Sequence, residues 1–412
     1  MKRLMLGLAG AGLLAIGALA NAADIEVMTQ NQYVGTDLIA LVTEPDFNAA
    51  VVDALKTRAA SLPSERVKAL AALIAKRNPA LVGLEEVYGF TCVDANPAPS
   101  RGCQNQEIAG AFTDQLADTL AALGGRYVDA AKVYNLNLPA TLPSPLNLLP
   151  GIPITYDDRT IYVGVVDRDV ILARTTGVTF TPTSFAALNA YNAALCSRPS
   201  QNGCNYVAAA SADLNLGLPA PVTIRFERGF VGVDAVVDSE PYRFVVTHLE
   251  TRLESLGPTA RGYQSAQAYE LAGTLQVMNA FNPYGKTLLV GDFNSDPRDP
   301  VYPVPAPNQY LGIPPYQQLV GLGFTDVWTM RPGTATGKGA PLVGFSCCQD
   351  ADLGNHQSVL YERVDLLFSL TPPTKVQVAR LLGESIGDKT PPQGFGLWPS
   401  DHASVAAVIS FK

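Results

Sequence analysis

Apolar positions recur along this chain in two rhythms, and the switches between them mark its elements. Ile25 to Thr29 alternates as a half-buried strand does and runs into the polar Gln30-Asn31-Gln32-Tyr33. From Glu65 to Arg77 the period lengthens to that of a helix. Val67, Leu70, Ala71 and Ile74 share one stripe, Ser64 is the predicted N-cap and Asn78-Pro79 the stop. Ala80 to Leu84 returns to a buried strand and delivers Glu85 and Glu86. A second helix is predicted over Ile108 to Leu123, with Ile108, Phe112, Leu116 and Leu120 along its stripe and Gly124-Gly125 closing it. Strands follow at Ile161 to Val166, Asp169 to Ala173, Val231 to Val237 and Tyr242 to Thr247, the last delivering His248. A third helix, Tyr263 to Asn282, sets Leu271, Leu275 and Met278 on one face and feeds the strand ending at Val290. Gly291 closes that strand where a backbone must pass close to something, and Asp292 and Asn294 lie just beyond. Arg363 to Phe368 and Ala403 to Phe411 complete the series, the latter opened by Ser400-Asp401-His402.

Strands and helices alternating in this way predict one layered α/β domain. No low-complexity linker or internal repeat divides it. The excess length falls in predicted loops at residues 88–105, 134–158, 181–222, 299–316, 331–357 and 383–399, rich in Pro, Gly and Asn. At the start, Lys2 and Arg3 precede an apolar run from Leu4 to Ala18, and Ala20-Asn21-Ala22 has the small-x-small form of a signal peptidase site. The expectation is a signal peptide over residues 1–22, cleavage before Ala23, a single domain over 23–412 and a secreted or periplasmic protein; an uncleaved anchor is the alternative, although the run is short for a membrane span.

Export changes how the cysteines read. Six in an exported chain point to disulfides, and Cys92/Cys103 and Cys196/Cys204 each bracket a short loop, so local pairing is the simplest expectation. Cys347 and Cys348 are adjacent, which leaves open a vicinal bridge or two separate partners. Zinc is disfavoured, because there is no C-x-x-C and the chain has 3 histidines. The formal net charge is −8, and losing Lys2 and Arg3 makes it more negative, so a nonspecific electrostatic hold on nucleic acid is not expected.

The candidate chemistry lies at strand ends: Asn31, Glu86, His248, Asp292, Asn294, Asp365, Asp401 and His402. Any one such Asp is more often a cap or turn. Two histidines placed so, one beside an Asp, suit general acid/base work, whereas His356 sits in an ordinary surface loop. Oxygen donors with few imidazoles favour a hard cation, Mg²⁺ or else Mn²⁺ or Ca²⁺. Gly333-Thr334-Ala335-Thr336-Gly337-Lys338 is one residue short of a phosphate-binding P-loop, and no G-x-S-x-G is present.

As a set, Leu84-Glu85-Glu86-Val87, Thr247-His248-Leu249, Gly291-Asp292-Phe293-Asn294, Arg363-Val364-Asp365 and Ser400-Asp401-His402 resemble the endonuclease/exonuclease/phosphatase superfamily, the DNase I-like fold, from about Ile25 to Lys412. Glu85 stands where that family usually has glutamine. The resemblance implies a four-layer sandwich of two mixed β-sheets packed face to face and flanked by helices, with metal-assisted hydrolysis of phosphate esters at one end. It also implies roles. Asn31, Glu86, Asp292 and Asp401 would hold the metal; Asn31, His248 and Asn294 would bind substrate. His248, Asp292, Asn294, Asp365, Asp401 and His402 would serve catalysis. Asp292 and His402 compete for the part of base, Asp365 would support the metal or His402, and Asp401 would orient that imidazole. No protein partner is expected.

Among phosphate esters the sequence leans towards a phospholipid, with a secreted nuclease and a non-catalytic binding protein as alternatives. The lean rests on two proline-rich, nearly uncharged loops, Leu136 to Pro150 and Leu214 to Pro221. Their leucines could seat in a membrane interface as a peripheral contact, or fold back over the domain.

Overall fold

Burial at nearly every position of the central strands gives the two large sheets two covered faces there, and the layers follow from what covers them. The computed structural model describes residues 24–190, 192, 195–214, 221–252, 261–281, 283–332, 344–392 and 396–412. The predicted signal peptide, residues 215–220 and the Gly333–Lys338 segment lie outside the described residues. In chain order the first strands are β1 (Asp24–Asn31), β2 (Leu81–Glu85), β3 (Gly89–Asp94), β4 (Tyr127–Leu138), β5 (Ile152–Tyr156) and β6 (Arg159–Arg174). Next come β7 (Val178–Pro182), β8 (Arg198–Ser200), β9 (Gly203–Asn205), β10 (Ala210–Leu214), β11 (Val222–Phe226) and β12 (Gly229–Val237). The last are β13 (Glu240–His248), β14 (Lys286–Asp292), β15 (Thr325–Asp326), β16 (Asp365–Ser369), β17 (Lys375–Leu382) and β18 (Ser404–Ser410). The helices are α1 (Ala40–Thr43), α2 (Phe47–Ala60), α3 (Pro63–Arg77), α4 (Gln115–Leu123), α5 (Arg261–Phe281) and α6 (Pro315–Gly321).

Two large sheets result. One runs β17-β18-β1-β2-β6-β3, with β4 and β5 also on β6; the other runs β15-β16-β14-β13-β12-β9-β8, with β7 on β12. Val27, Leu81, Ile171 and Ile409 of the first meet Val231, Phe244, Val246 and Val290 of the second in one buried core. On the outside of the first sheet, Val82, Leu84, Val170 and Leu172 pack on Ala71 and Ile74 of α3 and Leu116 of α4. On the outside of the second, Leu289 and Phe368 pack on Leu271, Leu275 and Met278 of α5. This is the four-layer α/β sandwich the sequence predicts. Each such side chain contributes about 1.5–3 kcal/mol by leaving water.

Some local expectations change. Ser64 is not the N-cap of α3: Leu62 precedes the helix with φ +51° and Pro63 takes the first helical position, where its missing N–H costs nothing. Ser64 instead donates to Asp118 of α4 at 2.6 Å. The helix predicted over 108–123 begins only at Gln115, because Asp114 caps it by accepting from Leu116 N and Ala117 N; Ala109–Ala111 is a single 3-10 turn. The two strands predicted at 161–166 and 169–173 are one, β6, since the charged Asp167-Arg168-Asp169 is buried inside it. Helix α2 and strands β3, β4, β5 and β7 to β11 lie where loops or nothing were predicted. The leucine loop before Pro150 folds back: Leu142 and Leu146 are buried, while Leu148 is 78% exposed.

Candidate active site

The parallel pairs β1/β2 and β13/β14 end on the same edge of the sandwich, and the antiparallel β16 and β18 start there. That topology gathers the predicted residues. Gly291 allows it: its φ is +146°, and a Cβ there would lie 1.8 Å from Thr247 O, so only glycine lets β14 pass β13 this closely. Between the sheets, a Cβ on Gly83 would come within 2.7 Å of Val246 and 2.8 Å of Val290, which keeps β2 against the second sheet beside the site.

Asp292, buried at the end of β14, is the hub. Its Oδ1 accepts from Asn294 N at 2.8 Å and its Oδ2 from Asn31 Nδ2 at 3.1 Å. The same Asn31 nitrogen donates to Glu86 Oε1 at 3.2 Å, so one amide bridges the two carboxylates. Glu86 turns into the site on a left-handed backbone, φ +53°, and its other oxygen accepts from Val34 N at 2.9 Å. His248 Nε2 and His402 Nε2 stand 3.6 and 3.9 Å from Asp292 Oδ2.

The two imidazoles have opposite surroundings. Arg228, which can only donate, contacts His248 Nδ1 at 2.9 Å, leaving the proton of a neutral ring on Nε2. Burial, with Arg228 and His402 beside it, pushes the His248 pKa well below its ordinary value. Asn294 Nδ2 donates to Leu249 O and lies 3.2 Å from His248 Nε2. The two nitrogens lie side by side, and each can offer a proton to an anionic oxygen brought up to them. His402 is the reverse. Burial alone would lower its pKa, but Asp365, Asp401 and Asp292 raise it well above the ordinary value.

Asp365, not Asp401, orients His402: Asp365 Oδ2 meets Nδ1 at 2.8 Å, while Asp401 Oδ1 is 4.0 Å from Nε2. Burial raises Asp365 to about 6 despite the attraction of His402. Burial also raises Asp401, whose side chain is partly exposed.

The donor set suits a hard cation. Ligand atoms of Asp292, Asp365 and His402 all lie within 4.8 Å of one another, Asp365 Oδ1 has no partner, and Glu86 is tied to Asp292 through Asn31. Asp365 thus joins the predicted Asp292 in this group, with His402, held through Nδ1 by Asp365, at its edge. Glu85, by contrast, is fully buried and turned from the site. Burial, with Asp365 adding to it, raises its pKa well above the ordinary value, and Thr29 Oγ1 donates to it at 2.8 Å.

Supporting residues without a sequence signal complete the frame. Ser346 Oγ accepts from Val364 N and Asp365 N, and Ala403 N donates to Ser346 O, so this serine clamps both halves of the Asp365–His402 pair. Next to it the Cys347–Cys348 disulfide is formed, and Cys92–Cys103 and Cys196–Cys204 pair as predicted. Buried Arg66 donates to the carbonyls of Ser61, Gln32, Tyr33 and Pro399, fixing the segment after β1 to the one before His402. Ser400 Oγ adds a bond to Asn31 O at 2.8 Å. His356 is exposed and takes no part.

No family model matches the sequence, and no curated protein does. Several solved structures are similar to this chain. A mannosyl-6-phosphatase of Bacteroides thetaiotaomicron is 13% identical, with a TM-score of 0.47 over 94% of this chain and 100% of that one. An endonuclease/exonuclease/phosphatase family protein of the same organism is 15% identical, with a TM-score of 0.46 over 95% and 99%. An endonuclease/exonuclease/phosphatase from Beutenbergia cavernae is 17% identical, with a TM-score of 0.44 over 94% of this chain and 72% of that one.

Proposed function

We propose that this chain is an exported, divalent-cation-dependent hydrolase of phosphate esters, a phosphodiesterase of the endonuclease/exonuclease/phosphatase type. The observation that carries the reading is the pair of imidazoles whose Nε2 atoms stand 3.6 and 3.9 Å from Asp292 Oδ2, one backed by Arg228 and the other by Asp365. In-line attack on a phosphodiester needs neutralised non-bridging oxygens, a water held and relieved of a proton, and a stabilised leaving oxygen. His248 Nε2–H and Asn294 Nδ2 converge to take one non-bridging oxygen. Asp292 is the base that takes the proton of the attacking water. His402, charged against Asp365, gives its Nε2 proton to the departing alkoxide oxygen as the P–O bond breaks, so that the alcohol leaves neutral while Asp292 keeps the proton of the water. Glu86, Asp292, Asp365 and Asn31 would hold Mg²⁺ or Mn²⁺, which supplies Lewis-acid charge neutralisation. Without a cation, Glu86, Asp292, Asp365 and Asp401 repel an anionic ester.

The test is hydrolysis by the purified protein of a soluble chromogenic phosphodiester, a phospholipid and DNA, each in Mg²⁺ and in excess EDTA. Turnover that EDTA abolishes and Mg²⁺ or Mn²⁺ restores is expected. Turnover that persists in EDTA overturns the mechanism, and none on any substrate returns the chain to the binding proteins. DNA cleavage without lipid hydrolysis would make it a nuclease.

A further inference from the structure

Beside the site lies a second feature that the hydrolytic residues do not use. A cavity of about 260 Å³ opens between α2, the ends of β4 and β6, and the β10/β11 hairpin. Its walls are apolar: Phe47 and Leu55 of α2, Leu136 and Leu138 of β4, Leu214 of β10 and Ile224 of β11. Leu136 and Leu138 open the first of the two apolar loops and Leu214 the second, so the start of each loop faces this cavity. Its inner end is polar. Arg228 lines it with one guanidinium nitrogen on His248 and another 3.4 Å from Glu250 Oε1, which lines it too. Asn135 and Asp167 also line that end; both are buried, neither amide atom of Asn135 makes a well-formed hydrogen bond, and Asp167 Oδ1 has no partner.

Asn135 has Asp169 beside it as a partner, but a buried carboxylate oxygen without one costs about 1–3 kcal/mol, so Asp167 Oδ1 is satisfied by a ligand or water that reaches this end. An apolar wall with a few polar groups at one end fits an amphiphile. Since a dry cavity of about 150 Å³ takes benzene, this one takes a single alkyl chain of roughly eight carbons.

We propose that this cavity binds the alkyl chain of a single-chain amphiphilic phosphate ester, its phosphate placed at His248 and a hydroxyl or amide group beside the ester meeting Asn135 and Asp167. The inference rests on the phosphoesterase reading and narrows its substrate. Contiguity through Arg228 carries it: the same side chain lines the cavity and fixes the tautomer of His248.

The experiment compares 4-nitrophenyl methyl phosphate with 4-nitrophenyl octyl phosphate in Mg²⁺, and measures binding of octyl phosphate by calorimetry. A kcat/KM at least about tenfold higher for the octyl ester is expected, since burying methylenes favours the longer chain. Ala54→Phe and Ala212→Phe, which fill the cavity from a helix and a hairpin, should bring that ratio towards one and weaken octyl phosphate binding about tenfold or more. Two separate walls guard against one variant failing to fold. Equal kcat/KM for both esters overturns the cavity proposal while leaving the hydrolase intact. Octyl phosphate binding that both variants abolish, without turnover of either ester, supports the cavity and removes the hydrolase reading. A protein that neither binds octyl phosphate nor distinguishes the esters has its cavity filled by its own chain or a second copy, and the proposal fails.

Discussion

Asp365→Asn keeps the shape of the side chain behind His402 and removes its charge. Asp365 Oδ2 and His402 Nδ1 are 2.8 Å apart and both residues are buried, so the bond is charge-assisted and shielded from water. A hydrogen bond to a charged group is worth about 1.5–3 kcal/mol, and 1.36 kcal/mol corresponds to one in pKa, so the imidazole pKa should fall by about one to two. The same free energy withdrawn from the transition state lowers kcat about 10- to 150-fold. The amide can also present its NH₂ to Nδ1 and favour the wrong tautomer, which adds to the loss. The assay is kcat on a soluble chromogenic phosphodiester across pH, with the His402 titration followed by imidazole NMR. Asp401→Asn is the internal control: its oxygen is 4.0 Å from Nε2, and its effect on the His402 midpoint should be smaller. A kcat within twofold of wild type and an unmoved midpoint would refute the assignment of Asp365 as the orienting carboxylate. If raised Mg²⁺ restores the variant fully, Asp365 acts through the cation instead.

Glu85→Gln should keep kcat within about threefold, because the buried carboxyl already favours its neutral form. Its folded pKa lies above the unfolded value near 4.5, so wild-type stability falls as pH rises through that value towards the folded pKa. Melts in EDTA should therefore show the variant gaining on wild type at pH 8 and not at pH 4; an equal gain at both would contradict this. Gly291→Ala should cost more than about 3 kcal/mol by denaturant titration, since positive φ and a contact with Thr247 O act together; a loss under 1 kcal/mol would mean β14 can shift freely. Thiol titration in denaturant without reductant should find no free thiol, and four or more would contradict the three disulfides.

The strand-end residues were legible because each follows or opens an apolar run whose period names it a strand, and ends of parallel neighbours coincide. What was not legible depended on partners distant in sequence. Arg228 looks like a loop charge until β12 brings it beside His248, and Ser346 gains its role only when Asp365 and Ala403 close on it. The Asp167-Arg168-Asp169 triplet reads as a break because charge favours water, yet Arg168 pairs with Asp114 at 2.7 Å and donates to Val87 O, so β6 continues through it. The resemblance implied Asp401 as the group orienting His402 and left Asp365 to the metal or to His402; it is Asp365, brought in by a strand distant in sequence, whose Oδ2 reaches Nδ1.

The position of β1 sets a schedule. It lies between β2, which follows it by some fifty residues, and β18, which pairs Ser410 with Asp24 at the far end of the chain. As the chain lengthens from its N terminus, one edge of β1 stays bare until the last strand is available, and long-range pairing of this kind is slow. Asn31 and His402 sit at that seam, so the two come together only when β18 takes its place along β1.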